Sequence, residues 1–363
     1  MTTIKTRSAC KIALATALTS TMIMAGTAQA QLAGHNVILV HGFQMEDLEA
    51  PPANLQAIRD AGEDYWRTFW LSRSEARVDW PSDGRIEGSI AQRAYEQMRE
   101  ISQQGLCNDF CIVVSHSTGD LVTRYLLENQ ARWLQNEGLP PLKILASIDY
   151  AGAGGGTELA NLALSLAYNP TWYNWPVRAA VQAFTGIEPK PDKLGVVNDL
   201  QTNTARNLAL SPNSVPRLRF VAGGSPYAGI TKPFISGKDD GVVPAHSSCG
   251  ATSAQGIDSC TGNLSLAGKV TSQNGPAGLY YNHYPVLMNE GVTHGGVLGS
   301  ETGNISVPVV NNTTLNSLQV DFASRSYSKR PWWKLWGSKD RYIEVPGSDQ
   351  TDMSTLVYST LNN

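Results

Sequence analysis

Three things are scarce in this chain of 363 residues: long apolar runs, basic charge and cysteine. Beyond the first thirty residues, no stretch stays apolar over the roughly 18 residues that a membrane-spanning helix needs. Lys and Arg number 28 against 31 Asp and Glu, so the chain lacks the basic excess typical of nucleic-acid-binding proteins. The five cysteines are not accompanied by clustered histidines, which argues against a metal site. With no internal repeat or long linker, we expect one large domain without a metal or other cofactor.

The first thirty residues have the pattern of a secretory signal peptide. Three basic residues within positions 5–11 precede a mostly apolar stretch at 12–25 and the small-x-small triplet Ala28-Gln29-Ala30. The apolar stretch is short for a membrane span, and a retained anchor is the alternative. Without this segment, 25 basic residues face 31 acidic ones, because it holds three of the 28 basic residues and no acidic ones. We expect a secreted protein, extracellular or periplasmic, with residues 31–363 as its mature part.

Four cysteines remain after Cys10 leaves with the signal peptide. An even number of cysteines in an exported chain indicates disulfide bonds, here two. Of the three possible connectivities, we expect the local pairs Cys107–Cys111 and Cys249–Cys260.

The stretch around Ser117 carries the clearest functional signal. Residues 111–114 are apolar and predict a short buried strand, and apolar residues at helical spacing over 121–134 predict a helix. Between them lies Ser115-His116-Ser117-Thr118-Gly119. A serine on a tight turn between strand and helix is typical of the nucleophile elbow of an α/β-hydrolase. Ser115 stands where that motif usually has glycine, and the alternative is that Ser117 merely caps a helix.

A second turn points to the same chemistry. Residues 35–40, HNVILV, predict a buried strand that runs into His41-Gly42-Phe43. The backbone N–H just after such an HG pair usually forms half of an oxyanion hole, and we assign that role to Phe43. An ordinary turn with Gly42 at positive φ is the alternative.

The segments around these turns are consistent with alternating strands and helices. We predict a helix over Ala53–Ala61, an aromatic strand over Tyr65–Leu71, an amphipathic helix over Ile86–Ile101 and a buried strand over Leu142–Ile148. The glycine-rich run that follows, residues 151–156, lacks the Gly-Lys-Ser/Thr ending of a phosphate-binding loop.

Residues 158–200 do not have the pattern of a sheet. Leucines are followed by Tyr168, Trp172, Tyr173, Trp175 and Phe184, with several prolines between them. We interpret the segment as a helical lid over an apolar cleft, because inserted loops often carry function. Plain helical core is the alternative.

Acidic and basic partners for the serine follow in chain order. After a predicted strand at 218–222, Asp240 lies in the loop where the acid of a Ser-acid-His triad belongs, with Asp239 as its neighbour and competitor. A surface Asp-Gly turn is the other interpretation. His294 follows a strand predicted over Val286–Val292, whereas His283 precedes it. We favour His294 as the base, since the loop after that strand lies at the same sheet edge as Ser117.

The residues beyond 300 are polar and rich in Asn, Ser and Thr. We expect 301–363 to be an extension packed on the domain. Within it, Trp332, Trp333 and Trp336 lie among basic residues. They could bind a polymer, glycan or lipid surface, or equally cover an edge of the domain, so we assign no site there.

Taken in order, these motifs resemble the secreted bacterial lipases and esterases of the α/β-hydrolase superfamily. The resemblance runs from about His35 to Leu298 and is carried by VILVHGF, VVSHSTGDLVTRYLL, GGGTELANL, VVNDLQTNTARNL, LRFVAGG, DDGVVP and GVTHGGVL. It implies a mostly parallel sheet flanked by helices, with a helical lid. It also implies a triad of Ser117, Asp240 and His294, with Phe43 and Thr118 as oxyanion donors. Some of these lipases bind calcium through an acidic residue just after the catalytic histidine; neither candidate histidine has one, so we expect no calcium.

These observations predict a secreted, monomeric serine hydrolase that cleaves carboxylic esters through an acyl-enzyme. Small esters, lipids at a lipid–water interface and aliphatic polyesters remain open as substrates. An acyltransferase with the same triad and a non-catalytic binding protein on a hydrolase scaffold are the alternatives.

Overall fold

The computed structural model describes residues 31–66, 69–172, 174–208, 215–225, 229–272, 274–299, 305–306, 313–330, 336 and 338–363. The predicted signal peptide and most of the tryptophan-rich segment lie outside the described residues.

In the described part of the chain, the strands occur in the order expected for alternating β and α units, and the last four form two antiparallel pairs, β8 with β9 and β10 with β11. They are β1 Asn36–Val40, β2 Ala76–Arg77, β3 Cys111–His116, β4 Ile144–Tyr150, β5 Arg217–Val221, β6 His283–Met288, β7 Ile305–Ser306, β8 Thr313–Leu315, β9 Leu318–Val320, β10 Arg325–Lys329 and β11 Asp340–Glu344.

The α-helices connect these strands and close the chain. They are α1 Glu46–Glu49, α2 Leu55–Trp66, α3 Ala91–Gln103, α4 Gly119–Asn136, α5 Glu158–Tyr168, α6 Trp175–Thr185, α7 Thr202–Leu208, α8 Ala245–Ser248 and α9 Met353–Leu361. Short 3-10 turns lie at Leu71–Arg73, Pro170–Trp172, Gly195–Asn198, Lys232–Phe234 and Gly296–Leu298, and one π turn at Ile86–Ile90 leads into α3.

The central sheet has the strand order β2-β1-β3-β4-β5-β6-β7. The first six strands are parallel and β7 is antiparallel. Parallel strands need crossover connections, which place helices on both faces of the sheet. With a serine turn between β3 and α4, this is the α/β-hydrolase fold, and the predicted fold class is confirmed.

Alternation along the strands divides the interior into two hydrophobic cores. In β1, Ile38 and Val40 face one core, while Val37 and Leu39 face the other. Helices α3, α4, α5 and α6 fill the first core, and the end of α2, the β8–β9 hairpin and α9 fill the second. The C-terminal extension therefore contributes apolar side chains to the second core through its described residues.

Two boundary predictions were wrong. The segment Tyr65–Leu71 was predicted as a strand, but Tyr65 and Trp66 end helix α2, and the strand that follows is the two-residue β2. Aromatic residues favour strands because they pack on a half-buried surface, and here helix α2 and the turn after it supply that surface instead. The last long strand begins at His283 rather than Val286, and it ends at Met288 before Asn289 adopts a positive φ of 45°.

Both predicted disulfides are present, Cys107–Cys111 at the start of β3 and Cys249–Cys260 in the loop region after α8. Among the described residues, no helix combines the length and apolar character needed to cross a membrane.

Candidate active site

Ser117 lies at the apex of the turn between β3 and α4, in a backbone conformation that non-glycine residues rarely adopt. Its φ is 55°. The turn is held by hydrogen bonds from the Ser117 N–H to the Tyr150 carbonyl (3.0 Å) and from the Ala153 N–H to the Ser117 carbonyl (2.8 Å). Strained backbone of this kind costs about 1–3 kcal/mol and persists where the surroundings impose it. The serine is therefore fixed at the carboxyl end of the central strand.

Glycines allow the neighbouring backbone to approach this turn. A Cβ on Gly119 would overlap the carbonyl oxygens of Val40 and His41, and one on Gly42 would lie 2.8 Å from the Ser117 Cβ. Position 115 does not face this contact, because the Ser115 hydroxyl points into the sheet interior and donates to Asp149 (2.6 Å). The departure from the usual motif therefore does not disturb the turn.

His294 and Asp240 continue from Ser117 as a chain of hydrogen bonds. The His294 Nε2 lies 2.9 Å from the Ser117 Oγ, and its Nδ1 lies 2.7 Å from the Asp240 Oδ2. The other carboxylate oxygen of Asp240 accepts the N–H groups of Val242 (3.0 Å) and Val243 (2.7 Å). Since a carboxylate only accepts, Nδ1 carries the ring proton and Nε2 is free to accept from the serine hydroxyl.

The competing residues are bonded elsewhere. The Asp239 carboxylate pairs with the Lys232 Nζ (2.7 Å) and accepts the Gly241 N–H (2.9 Å). His283 begins β6, where its Nδ1 lies 2.9 Å from the Tyr281 carbonyl. Burial, and then the nearby arginine charges, lower the pKa of His283 well below its usual value. The structure thus brings together Ser117, Asp240 and His294, and leaves Asp239 and His283 outside that group.

The loop after β1 presents the N–H group of Phe43 to the same place. His41 donates from Nδ1 to the Gly42 carbonyl (2.8 Å), while its Nε2 accepts the Trp80 N–H (3.0 Å). Because C=O and N–H of a trans peptide point in opposite directions, the Phe43 N–H is turned away from His41. Within the described part of the chain, neither this N–H nor that of Thr118 donates a hydrogen bond. Both residues line the cavity beside Ser117.

His41 is a functional candidate that sequence reasoning missed. It is fully buried, and its ring stacks on Trp80 with centroids 4.9 Å apart. Burial lowers its pKa to about 4, although the hydrogen bond to the Gly42 carbonyl acts in the opposite direction. The ring is therefore neutral near pH 7, in the tautomer that orients the Phe43 peptide. The sequence showed only its position in an HG pair.

A cavity of about 340 Å³ opens over these groups. Its wall is mostly apolar. The cavity is lined by Phe43, Met45, Tyr65, Ser117, Thr118, Ala153, Thr157, Ala183, Phe184, Leu200, Val242, Val243, Thr293, His294 and Gly295.

The segment predicted as a lid supplies part of this wall through α6. The Phe184 ring contacts that of Phe43 with centroids 5.8 Å apart, and Ala183 also faces the cavity. Other residues of α6, such as Val181, are buried in the first core. Tyr168 and Trp175 at the outer end are 63% and 77% exposed. The segment is thus partly core and partly cavity wall.

Comparison with known proteins gives distant likenesses only. No protein-family model and no curated protein matches the sequence. Among solved structures, the metagenomic carboxyl esterase MGS0156 aligns with a TM-score of 0.36 and 18% identity, covering 59% of this chain and 60% of its own. The mature Bacillus licheniformis lipase BlEst2 aligns at 0.37 and 18%, covering 59% and 77%. The phospholipase PlaB from Legionella pneumophila aligns at 0.33 and 18%, covering 54% and 42%. These three structures are an esterase, a lipase and a phospholipase, and the fold assignment stands on the strand order and the serine turn.

A buried cluster of four charged residues lies next to the Ser117 turn, and sequence reasoning missed it. Arg219 makes a two-pronged contact with Asp120, 2.6 Å to each carboxylate oxygen. Arg217 bridges Asp120 (2.9 Å) and Asp149 (3.1 Å). None of the four side chains is more than 1% exposed. Burial raises the pKa of Asp120, but the two guanidinium groups outweigh it and lower the pKa to about 2.

This cluster ties the first turn of α4 to the end of β4 and to the first half of β5. The only signal in the sequence is that Arg219 lies inside the strand predicted at 218–222. Arg217 lies just before that strand, at a spacing that places both side chains on the same face of β5. Such charges are expensive to bury unless they are paired, so a buried arginine requires an acidic partner. Which Asp it is depends on the fold.

Proposed function

We propose that the protein is a serine hydrolase that cleaves carboxylic esters, with Ser117 as nucleophile, His294 as base and Asp240 as the acid that orients it. The observation that carries the proposal is the unbroken chain of contacts from the Ser117 Oγ through His294 to the Asp240 carboxylate, at 2.9 and 2.7 Å. Both distances are within the range of good hydrogen bonds, and the chain opens into a cavity.

In the first half of the reaction, the Ser117 oxygen attacks the ester carbonyl carbon while its proton moves to the His294 Nε2. Asp240 stabilises the imidazolium that forms, and it does not itself take the proton. The negative oxygen of the tetrahedral intermediate accepts hydrogen bonds from the N–H groups of Phe43 and Thr118. One such donor typically contributes about 10²–10³-fold to the rate. Collapse of the intermediate breaks the bond to the alcohol, which leaves with the proton from His294.

In the second half, water attacks the acyl-enzyme. His294 takes a proton from the water, and the same two N–H groups bind the new oxyanion. When this intermediate collapses, the carboxylic acid leaves and the Ser117 oxygen recovers its proton from His294. The enzyme returns to its starting state with no cofactor.

The cavity favours neutral substrates with apolar acyl groups. Among the described residues that line it, none is Lys, Arg, Asp or Glu, and its apolar side chains include Phe43, Met45, Phe184 and Leu200. Its volume is at the lower end of ordinary ligand pockets. We place the activity among the carboxylesterases and lipases, acting as a monomer outside the cytoplasm, with the segment 158–200 as the lid. Aliphatic polyesters and lipids at an interface would have to enter under that lid.

The test is a substrate panel with two serine variants. The panel runs from p-nitrophenyl acetate to palmitate and adds emulsified triglyceride and a polyester film. Ser117→Ala should lower kcat by on the order of 10⁶-fold. Ser115→Ala is the matched control, because this buried serine lies two residues away but bonds Asp149 rather than His294. More than about 1% residual activity in Ser117→Ala would overturn the assignment.

Product analysis in the same assay separates hydrolysis from acyl transfer. With an added alcohol, a hydrolase releases mainly the free acid, whereas an acyltransferase yields mainly the new ester.

A further inference from the structure

We propose that Tyr65 and His116 form a positioning relay that holds His294 in register with Ser117. His116 directly precedes the serine, and its ring lies between the Tyr65 hydroxyl and the backbone carbonyl of His294. This inference rests on the proposed function. It adds two residues that do not touch the reacting atoms but fix one that does.

The roles of donor and acceptor along the relay follow from the chemistry of its ends. The His116 Nε2 lies 2.8 Å from the His294 carbonyl oxygen. A carbonyl can only accept, so Nε2 carries the proton. Burial, and then the charge of the adjacent His294, lower the pKa of His116 to about 3, so the ring is neutral near pH 7. Nδ1 is therefore bare.

The bare Nδ1 accepts a hydrogen bond from the Tyr65 hydroxyl. Burial raises the pKa of Tyr65 well above its usual value, so the hydroxyl keeps its proton. If that donor were absent, only the His294 carbonyl would favour the proton on Nε2, and Nδ1 would no longer be held as an acceptor. The other tautomer would point a bare nitrogen at the His294 carbonyl and lose the contact.

The relay matters because it grips His294 at a second point. The ring of His294 is held by Asp240 and Ser117, and its backbone is held by His116. Ser117 and His116 are consecutive, so their contacts with the ring and the backbone of His294 come from the same turn. The rings of His116 and His294 lie 4.9 Å apart. A neutral His116 also avoids repelling the imidazolium that forms on His294.

A purely structural role would produce a different pattern of energies. In that case Tyr65 and His116 would only help to pack α2 against the turn, and the loss of the hydroxyl would matter equally whatever residue stands at 116. A double-mutant cycle separates the two roles.

The cycle uses Tyr65→Phe, His116→Gln and the double variant. Phe keeps the ring that lines the cavity and removes only the hydroxyl. Gln places an amide N–H near the position of Nε2, and that group donates without help from Tyr65. We expect Tyr65→Phe to lower kcat about 10-fold with KM within about twofold, because small displacements of a base are costly. His116→Gln should keep kcat within about threefold of the wild-type value. In the His116→Gln background, Tyr65→Phe should change kcat by less than about twofold.

The matched control is Tyr95→Phe. The Tyr95 hydroxyl on α3 donates to the Trp133 carbonyl on α4, so its loss should leave kcat unchanged. The relay is refuted if Tyr65→Phe leaves kcat unchanged, or lowers it by the same factor with Gln at position 116. A Tyr65 hydroxyl that bound the oxyanion directly, as a third donor, would also lower kcat by the same factor with His or Gln at position 116.

A second measurement does not depend on ester hydrolysis, so it distinguishes failure of the relay from failure of the proposed function. Nitrogen-15 NMR of histidine-labelled protein at pH 7 reports the tautomer of each ring. We expect His116 to be protonated only on Nε2 in the wild type and on a mixture of nitrogens in Tyr65→Phe. A wild-type ring protonated on Nδ1, or a tautomer that is unaffected by Tyr65→Phe, would overturn the inference.

Discussion

Replacing Asp240 with Asn should switch the proton on His294 to the wrong nitrogen. One carboxylate oxygen of Asp240 accepts the N–H groups of Val242 and Val243, and the other faces the His294 Nδ1 at 2.7 Å. In Asn, the carbonyl oxygen has to stay beside the two N–H groups. The amide NH₂ then faces Nδ1, which must give up its proton, and Nε2 becomes protonated. A protonated Nε2 cannot accept from Ser117.

The expected loss of kcat follows from the free energy needed to turn the Asn side chain over, so that its oxygen faces His294. If the Asn side chain turned over, both backbone N–H groups would lose their acceptor. At about 1–3 kcal/mol for each unsatisfied buried donor, the turned state costs about 2–6 kcal/mol. This corresponds to a loss of roughly 30- to 3 × 10⁴-fold. Loss of the carboxylate charge, which stabilises the imidazolium, adds to it. We therefore expect kcat to fall by about 10⁴-fold, the value typical of such triads.

The assay is steady-state hydrolysis of a p-nitrophenyl ester with Asp239→Asn as control. Asp239 is the adjacent buried carboxylate, it is changed to the same residue, and it pairs with Lys232 instead of His294. We expect less than about a tenfold loss in the control, since the pair that it breaks involves a half-exposed lysine. Asp240→Asn with more than about a tenth of wild-type kcat, or a control that is equally damaged, would refute the reasoning.

Three further predictions concern the base, the turn and the pH range. His294→Ala should lower kcat by about 10⁴-fold or more, whereas His283→Ala should change only the melting temperature; the reverse order in a kinetic comparison would exclude His294 as base. Gly119→Ala should lower the free energy of unfolding by at least about 2 kcal/mol in urea titrations, because its Cβ would overlap carbonyl oxygens at the end of β1. Burial lowers the pKa of His41 to about 4 and that of His116 to about 3, from 6.5 in the unfolded chain, so the unfolded chain binds protons first. The contribution of these two histidines to stability should therefore be complete above pH 6.5 and fall between pH 6.5 and 4, by up to about 1.4 kcal/mol per pH unit for each; a profile that is the same in a His41→Gln variant would contradict this.

The sequence was most informative where chemistry depends on local structure. A nucleophile turn needs a strand, a helix and small residues within about ten positions, so Ser117 could be predicted from one short stretch. The acid and base follow it at variable distances, and chain order alone left Asp239 and His283 open. What separates the candidates is the fold, which places the Asp240 carboxylate beside the His294 Nδ1 and the His294 Nε2 beside the Ser117 Oγ.

The supporting residues could not be predicted, because their partners are distant in the chain. Tyr65 was assigned to a strand, where its side chain would alternate with its neighbours, yet it ends a helix and reaches His116. Arg219 stood out only as a charge in a buried strand, and its partner Asp120 lies 99 positions away. Ser115 was noted as a departure from the motif, but its bond to Asp149 depends on the register between β3 and β4.

The most direct test of the central claim is to find which residue a fluorophosphonate labels. The intact wild-type protein is treated at neutral pH, digested and mapped by tandem mass spectrometry. The account predicts a single adduct on the Ser117 oxygen, because this hydroxyl has both an imidazole to take its proton and N–H groups beside it to bind the phosphonyl oxygen. Protein that hydrolyses esters but carries the label on another residue, or carries none, would contradict it.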